Sequence, residues 1–338
     1  MENLIFSGRH LSINMKTPLS ISQWILSGLF AAFSITTNAA NFPQKPITLI
    51  VPFAPGGGTD SIARDLSKTL TERLGQAVIV DNRGGGGGSI GAAMGSKAEP
   101  DGYTLLFVTS TFVTHAATDP NAGYNIEKDF SPVAMIGRGP LLVVTNKSLP
   151  VKTLPELIHL STQVQENLNY CSAGLGSINH LSGELFKQKT GAQLTHIPYK
   201  GSGPATIDLL AGRVQVFFAT IPTILPYVET DRVNVLAITS EKRSPLFPNI
   251  PTASESGIPG FNISTWWGVV APPGTPPAIV KKLNEEINYA ANKDPLKARL
   301  AKEGAQSYKL SPAEFQKALN SELKLWQGVV KSANLKIE

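Results

Sequence analysis

Residues 47–60 read ITLIVPFAPGGGTD, an apolar run that ends in a cluster of glycines. The same arrangement returns at 77–91, where AVIVDNR is followed by GGGGGSIG. A stretch with helical periodicity follows each cluster; after the first, a leucine or isoleucine recurs every fourth residue from Ile62 to Leu74. Two strand–glycine–helix junctions so close together predict a parallel sheet, with both glycine clusters at the carboxyl ends of its strands.

The rest of the chain alternates strand-like and helix-like segments. A third strand at 103–110 completes a β-α-β-α-β unit, which implies parallel pairing with right-handed crossovers. A second α/β series follows, and the chain ends with one extended stretch and two amphipathic helices that return to the first unit. We therefore predict an α/β fold with two crossover strands, in which lobe 1 comprises 41–145 plus 262–338 and lobe 2 comprises 146–261.

The first 40 residues have the pattern of a secretory signal peptide. A short region with Lys16 precedes an apolar segment at 21–35, and small residues end the pattern at Ala39 and Ala40. The apolar segment is interrupted by serines and is shorter than the roughly 20 residues of a membrane span, which disfavours an uncleaved anchor. We predict export and cleavage near Ala39 or Ala40, with Met15 as an alternative start.

Composition excludes several classes of protein. The chain has 338 residues and a net charge of +5, but its Lys and Arg residues are scattered, so we do not expect nucleic-acid binding. A single cysteine, Cys171, excludes a disulfide framework and a multi-cysteine metal site. Because Cys171 directly follows a short apolar run, we predict a buried thiol at a strand end rather than a nucleophile.

The two glycine clusters form a candidate anion site. A helix N-terminus presents free N–H donors and about half a positive charge, and glycine lets a ligand oxygen approach them. Gly86, Gly88 and Gly91 formally match the dinucleotide pattern G-x-G-x-x-G, but five successive glycines make that match nearly automatic, and no acidic residue follows at the expected spacing. A free phosphate or a carboxylate remains as the ligand. In the simpler alternative, the glycines only form tight turns.

Catalytic motifs are missing from the sequence. The five histidines show no triad spacing, no G-x-S-x-G occurs, and His159 and His180 lack metal-ligand spacing with other His or Cys residues. We expect neither a metal nor a cofactor. An exported α/β enzyme acting on a phosphate- or carboxylate-bearing small molecule is the alternative function. A sensor that docks to a membrane partner is a third, and it is compatible with ligand binding.

Several stretches of the chain match one family in that family's order. They include FPQKPITLIVPFAPGGGTDSIAR (42–64), LGQAVIVDNRGGGGGSIGA (74–92), YCSAGLGSINHLSGELF (170–186), HIPYKGSGPATIDLLAGRVQVFF (196–218) and WWGVVAPPGTP (266–276). With AEPDGYTLLF (98–107), KDFSPVAMIG (128–137) and RSPLFPNIPTASESGIPGF (243–261), they cover nearly the whole chain after the leader. In these motifs the chain resembles the extracytoplasmic solute receptors of tripartite tricarboxylate transporters, the Bug family.

The resemblance implies a two-lobed periplasmic-binding-protein fold of the Venus flytrap, type II-like kind. It implies a periplasmic receptor, not an enzyme, that holds a small organic carboxylate between its lobes, partly through ordered water. Membrane permease subunits are the implied partners, and we expect a monomer. Carried over by position, the predicted ligand-binding residues are Ala54, Pro55, Gly56, Gly57, Gly58, Asp60, Gly85, Gly86, Gly87, Gly88 and Ser89 on the first lobe, and Ser172, Ala173, Gly176, Ser177, His180, Tyr199, Lys200, Gly201 and Ser202 on the second.

Two positions depart from the family pattern. Glycines fill 84–88, where the family often has proline and alanine, so this loop loses more entropy on ordering. Many members also carry Asp after the Phe of VQVFF, where this chain has Ala219. Since an acid there is suited to pairing with a ligand ammonium, its absence favours a carboxylate without an amino group.

Individual residues near the site have competing interpretations. We predict that Asp60 caps its helix, and it can also order the glycine loop or hold water. Lys200 is either a solvated rim residue or a contact to the far end of the ligand. His180 is predicted to make a structural hydrogen bond. Of Trp266 and Trp267, we expect one to pack in the core and the other to line the cleft.

Overall fold

The computed structural model describes residues 41–335 except positions 54, 57, 164–167 and 200. The predicted leader and its cleavage site at Ala39 or Ala40 therefore lie outside the described residues. From Pro43 onward the chain forms one compact unit built on a mixed sheet. No helix in the described part of the chain combines the length and the hydrophobicity that a membrane span requires.

The first part of the sheet is parallel, as the repeated strand–helix pattern predicts. Its strands are β1 (Ile47–Val51), β2 (Val78–Asn82) and β3 (Thr104–Thr109), and the helices that follow them are α1 (Gly58–Leu74), α2 (Ser89–Ser96) and α3 (Ser110–Thr118). β1 lies between β2 and β3 and pairs with both in parallel. All three strand–helix junctions therefore meet at one edge of the sheet.

The second part repeats this arrangement after one long strand. The elements in chain order are β4 (Ser131–Asn146), α4 (Leu154–Gln163), β5 (Leu168–Ser172), α5 (Ile178–Thr190), β6 (Leu194–Pro198), α6 (Ser202–Leu210), β7 (Val216–Thr220), α7 (Ile221–Glu229) and β8 (Val233–Ile238). β5 pairs in parallel with β6 and β7. The remaining elements are β9 (Ser264–Ala271), α8 (Pro277–Ala291), α9 (Leu296–Lys302), β10 (Gln306–Ser307) and α10 (Pro312–Ser332).

β4 joins the two parts of the sheet. Up to Pro140 it pairs antiparallel with β9, and from Leu141 onward it pairs antiparallel with β7 and β8. The chain returns at Thr239, whose N–H donates to the carbonyl of Leu141 (3.0 Å) and whose carbonyl accepts from Ile263 (3.2 Å). β4 therefore changes its pairing partners at Pro140–Leu141. This position precedes the lobe boundary that the sequence predicts at 145–146.

Four features are absent from the pattern found in the sequence: α3, α9, the short strand β10 and the first ten residues of β4. The segment SPVAMIGRGP (131–140) contains two prolines and two glycines, which normally argue against a central strand. Pairing with β9 on one side overrides this preference, and shifts in register at Pro132 and Met135 accommodate the irregularity. α3 follows β3 without a loop, because Thr109 ends the strand and its side chain accepts the N–H of Thr111 (3.2 Å).

The C-terminal helix is fixed to the sheet by a buried carboxyl. Glu322 on α10 accepts the indole N–H of Trp266 on β9 (2.7 Å) and that of Trp326 (3.2 Å). Burial raises the pKa of Glu322 to about 7, although both indoles oppose the rise. Trp266 also packs edge-on against Phe315, so it is the core tryptophan that the sequence predicts. This contact returns the C-terminal segment to the first part of the sheet.

A close contact between α5 and β5 gives a stability test. A Cβ at Gly183 would overlap the ring of Tyr170, whose hydroxyl donates to Glu184 (2.6 Å). Gly183→Ala should therefore lower the free energy of unfolding by about 1–3 kcal/mol. The matched control is Gly328→Ala on the exposed side of α10, where an added Cβ has no atom within 4 Å. This substitution should raise the free energy of unfolding by up to about 1 kcal/mol. Equilibrium unfolding in urea measures both, and equal stability of the two variants would contradict this packing.

Candidate functional site

A cavity of about 220 Å³ lies between the two parts of the sheet. Both parts contribute to its walls. The lining residues are Gly58, Thr59, Thr109, Thr111, Thr265, Trp267 and Glu303 from the first part and the C-terminal segment, and Ala173, Ser177, Ile178, Asn179, Ser202, Thr220, Pro222 and Thr223 from the second. Among these fifteen residues Glu303 is the only one with an ionisable side chain. The cavity is thus polar and nearly uncharged, with hydroxyl and amide groups as its main side-chain partners.

Helix N-termini surround the cavity. The first turns of α1, α3, α5, α6 and α7 each place a residue in its lining, for example Gly58, Thr111 and Ile178. The first N–H groups of a helix have no partner within the helix, and the helix dipole adds about half a positive charge at that end. These N-termini converge because each of these helices is the next element along the chain after the carboxyl end of a strand. The cavity therefore suits a negatively charged ligand.

Asp60 holds the first glycine loop through a hydrogen bond to its backbone. It is 4% exposed, and its carboxylate accepts hydrogen bonds from the Gly56 N–H, the Arg64 side chain and the Asn82 amide, each at 2.9 Å. Burial raises its pKa, but the hydrogen bonds from Arg64, Gly56 and Asn82 outweigh burial and hold the pKa below the usual range. Asp60 is thus an ionised anchor that ties the β1–α1 loop to the end of β2. Ala54 and Gly57 lie outside the described residues.

The second glycine cluster packs against α3. Gly85, Gly86, Gly87 and Gly88 all have positive φ, from 56° to 125°, which side chains rarely tolerate. A Cβ on Gly87 would lie 3.2 Å from the ring of His115. These glycines and Ser89 are not in the lining of the 220 Å³ cavity, while Gly87 and Gly88 border a separate space of about 10 Å³ beside it.

Two stacked histidines support the loop at the entrance to α5. The rings of His180 and His196 lie 4.0 Å apart, and His180 Nδ1 accepts the N–H of Gly176 (3.2 Å). His196 Nε2 is hydrogen-bonded to the hydroxyl of Ser172 (2.7 Å), which also contacts the backbone of Gly174. Burial lowers the pKa of His180 to about 4 and that of His196 to about 3. Both rings are therefore neutral at pH 7, and His180 makes the structural hydrogen bond that the sequence predicts.

The β6–α6 loop is tied to the neighbouring loop by its backbone. The Tyr199 N–H donates to the carbonyl of Ser172 (3.2 Å), and the Gly201 N–H donates to that of Ala173 (3.0 Å). The Tyr199 hydroxyl donates to Asp208 (2.8 Å) rather than into the cavity. These bonds set Ser202, the first residue of α6, against the cavity. Lys200 lies outside the described residues.

The cavity thus brings together four of the residues predicted from sequence: Gly58, Ala173, Ser177 and Ser202. The other described ones, Pro55, Gly56, Asp60, Gly85–Ser89, Ser172, Gly176, His180, Tyr199 and Gly201, lie outside its lining, and their ligand contacts stay predictions. Among the lining residues that sequence reasoning missed are Thr111 on α3, Pro222 and Thr223 on α7, and Glu303, which follows α9. At α7 the signal was present, since this helix directly follows a strand, but no glycine marks that junction. The helix α3 was itself absent from the sequence pattern. Trp267 lines the cavity, as expected for one of the two tryptophans.

Cys171 is fully buried, and burial raises the pKa of its thiol to about 12, as expected for a structural thiol. Within the described ranges no three His, Cys, Asp or Glu side chains are grouped as metal ligands would be.

Comparisons with known proteins agree with this geometry. The model of the tripartite tricarboxylate transporter family receptor, TctC, matches residues 62–335. BugT of Bordetella pertussis is 39% identical over 310 residues, which cover 91% of this chain and 95% of BugT. The structure of the periplasmic binding protein BugD is 32% identical with a TM-score of 0.77, over 88% of this chain and 100% of BugD.

Two further solved structures contain a bound acid. Rpa4515 of R. palustris with adipate is 38% identical with a TM-score of 0.79, over 87% of this chain and 99% of that one. MatC of Rhodopseudomonas palustris with bound malate is 33% identical with a TM-score of 0.76, over 86% of this chain and 100% of that one.

A two-lobed α/β fold with a polar cavity between its lobes defines the class of periplasmic solute-binding proteins. The chain belongs to the tripartite tricarboxylate transporter family of receptors, the Bug proteins, which confirms the resemblance found in its sequence. Its function is that of an extracytoplasmic solute receptor.

The stacked pair of His180 and His196 predicts acid sensitivity. In the unfolded chain, histidines bind protons with a pKa near 6.5. In the folded protein the lowered pKa values keep His180 and His196 neutral. The unfolded state therefore binds more protons, and stability is lost as the pH falls below about 6.5. Between pH 7 and pH 5 each of these two histidines should lower the free energy of unfolding by about 2 kcal/mol. Urea unfolding at both pH values should show a smaller loss for His196→Gln, and an unchanged loss for His159→Gln, whose ring is exposed. An equal loss in all three proteins would refute the assignment.

Proposed function

We propose that this receptor captures a small organic carboxylate in the 220 Å³ cavity between its lobes. The observation that carries the proposal is the ring of five helix N-termini around a space whose side chains are almost all uncharged. Backbone N–H groups at such ends stabilise an anion without a basic residue. The bound adipate and malate of the two Rhodopseudomonas relatives support a carboxylate over a phosphate.

The ligand contacts divide between the lobes. On the first lobe, the Gly58 and Thr59 end of α1 offers N–H and hydroxyl donors. On the second lobe, Ser177, Asn179 and Ser202 face the same space. We propose that one carboxylate is held by the first-lobe loops, directly and through water, and that the second lobe adds its contacts to the distal end.

We propose that the two lobes close over the ligand by rotating about the two segments that connect them. β4 at Pro140–Leu141 and the return at Thr239 and Ile263 are the connections about which the lobes rotate. A ligand shifts the balance toward the closed form only by its greater affinity for that form. We propose that the leader is cleaved on export, that the receptor works as a periplasmic monomer, and that permease subunits of a tripartite tricarboxylate-type transporter recognise its closed form.

A thermal-shift panel tests the function. Adipate, malate, succinate, citrate, benzoate, aspartate and inorganic phosphate are added separately to the purified protein. We expect at least one carboxylic acid to raise the Tm, since binding to the folded form alone adds about 2.7 kcal/mol at a concentration of 100 Kd. NMR spectra of the same mixtures should show no product. Turnover of any compound would favour the enzyme alternative, and stabilisation by phosphate alone would exclude the carboxylate.

A cavity variant tests the location of the site. Ser202→Val removes a hydroxyl from the cavity and adds bulk in its place. We expect at least about a fivefold increase in the Kd for the acid that stabilises most, because one lost hydrogen bond is worth roughly 1 kcal/mol before any clash. Calorimetry measures the Kd. Ser332→Val on the exposed end of α10 is the control, and equal affinities in the two variants would place the ligand elsewhere.

A further inference from the structure

Glu303 presents a buried acid to the ligand cavity. It follows the last residue of α9 and is 8% exposed. Its carboxyl oxygens lie 3.5 and 3.6 Å from the position of a Cβ on Gly58, so the group faces the first turn of α1. Oε2 is buried and has no hydrogen-bond partner among the described residues. A polar atom in this condition normally has a ligand or water as its partner.

The surrounding charges do not neutralise this carboxyl. Arg299, one turn earlier on α9, donates instead to Asp65 of α1 (2.7 Å). Elsewhere on α1, Asp60 is bonded to Arg64 (2.9 Å). The walls of the cavity on the α7 and β9 sides supply only uncharged groups, which are Thr220, Pro222 and Thr223 at α7 and Thr265 and Trp267 on β9.

Burial without a cationic partner disfavours the ionised form. It raises the pKa of Glu303 to about 7, although the charge of Arg299 opposes the rise. At neutral pH the group is therefore divided between the acid and the carboxylate. An anion bound beside it would favour the acid further, because two like charges in one cavity repel.

We propose that Glu303 binds the ligand as a neutral carboxylic acid that donates its proton in a hydrogen bond to a carboxylate oxygen of the cargo. This proposal rests on the carboxylate-binding function proposed above and specifies its selectivity. The proton is taken from solvent when Glu303 is ionised in the empty receptor, and no covalent bond is made or broken. The receptor then selects acids without an ammonium group, since an ammonium would instead require ionised Glu303.

Affinity should therefore fall as pH rises. If only the protonated receptor binds, the Kd for the best acid of the panel is about 30-fold higher at pH 8.5 than at pH 6. Calorimetry at pH 7, repeated in buffers of different ionisation enthalpy, should show the uptake of roughly half a proton for each ligand bound. This measurement uses the unaltered protein and does not depend on the folding of any variant.

The variant Glu303→Gln separates this role from a structural one. Its amide keeps an N–H donor of the same shape but cannot titrate. We expect E303Q to bind the acid with nearly the same Kd at pH 6 and pH 8.5, and to take up no proton. Glu285→Gln, at an exposed position on α8, is the control and should keep the full pH dependence of the wild type.

Three results would overturn the proposal. The first is a pH dependence in E303Q equal to that of the wild type. The second is a wild-type affinity that rises with pH through 7 for aspartate, together with loss of that binding in E303Q, which would make Glu303 an ammonium partner. The third is the failure of every panel acid to bind at any pH. That result rejects the proposed function and this inference with it, whereas either of the first two results rejects the inference alone.

Discussion

The pairing of β4 on both sides of Pro140–Leu141 is the constraint on which the other features depend. Its first ten residues are hydrogen-bonded to β9, and its last six are hydrogen-bonded to β7 and β8. A single strand therefore sets the distance between the two parts of the mixed sheet, whose parallel strands direct their carboxyl ends toward the same cavity. The cavity exists because this strand and the return segment at Thr239 hold the two edges together while leaving space between them.

Polar side chains near the cavity are largely engaged in holding its loops. Asp60 binds the first glycine loop, His180 and His196 support the loop before α5, and Tyr199 is bonded to Asp208. Because these groups already have partners, the cavity is left with main-chain N–H donors and small hydroxyls. Such a surface recognises the charge of a carboxylate through dipoles that were fixed during folding, and it needs little reorganisation when the ligand arrives.

Glu303 gives this otherwise uncharged cavity a proton-dependent element. Two segments far apart in sequence, the first turn of α1 and the end of α9, meet at Gly58. An acid at this junction makes the charge of the receptor depend on whether a ligand is bound. Binding of an anion is therefore accompanied by the uptake of a proton by Glu303. The ligand and its proton then enter the cavity with less net charge than the free anion carries.

The sequence by itself determined the alternation of strands and helices, the glycine junctions, the buried Cys171 and the family, because each of these is written in local periodicity or in contiguous motifs. It did not determine the strand at 131–140, whose prolines and glycines are overridden by pairing with β9, a segment more than a hundred residues away. It placed Ser177 and Ser202 but not Thr223 or Glu303, since the latter reach the cavity only through the packing of α7 and α9. Only the tertiary structure decided which strand–helix junctions share one cavity, because that depends on strand order and not on any local signal.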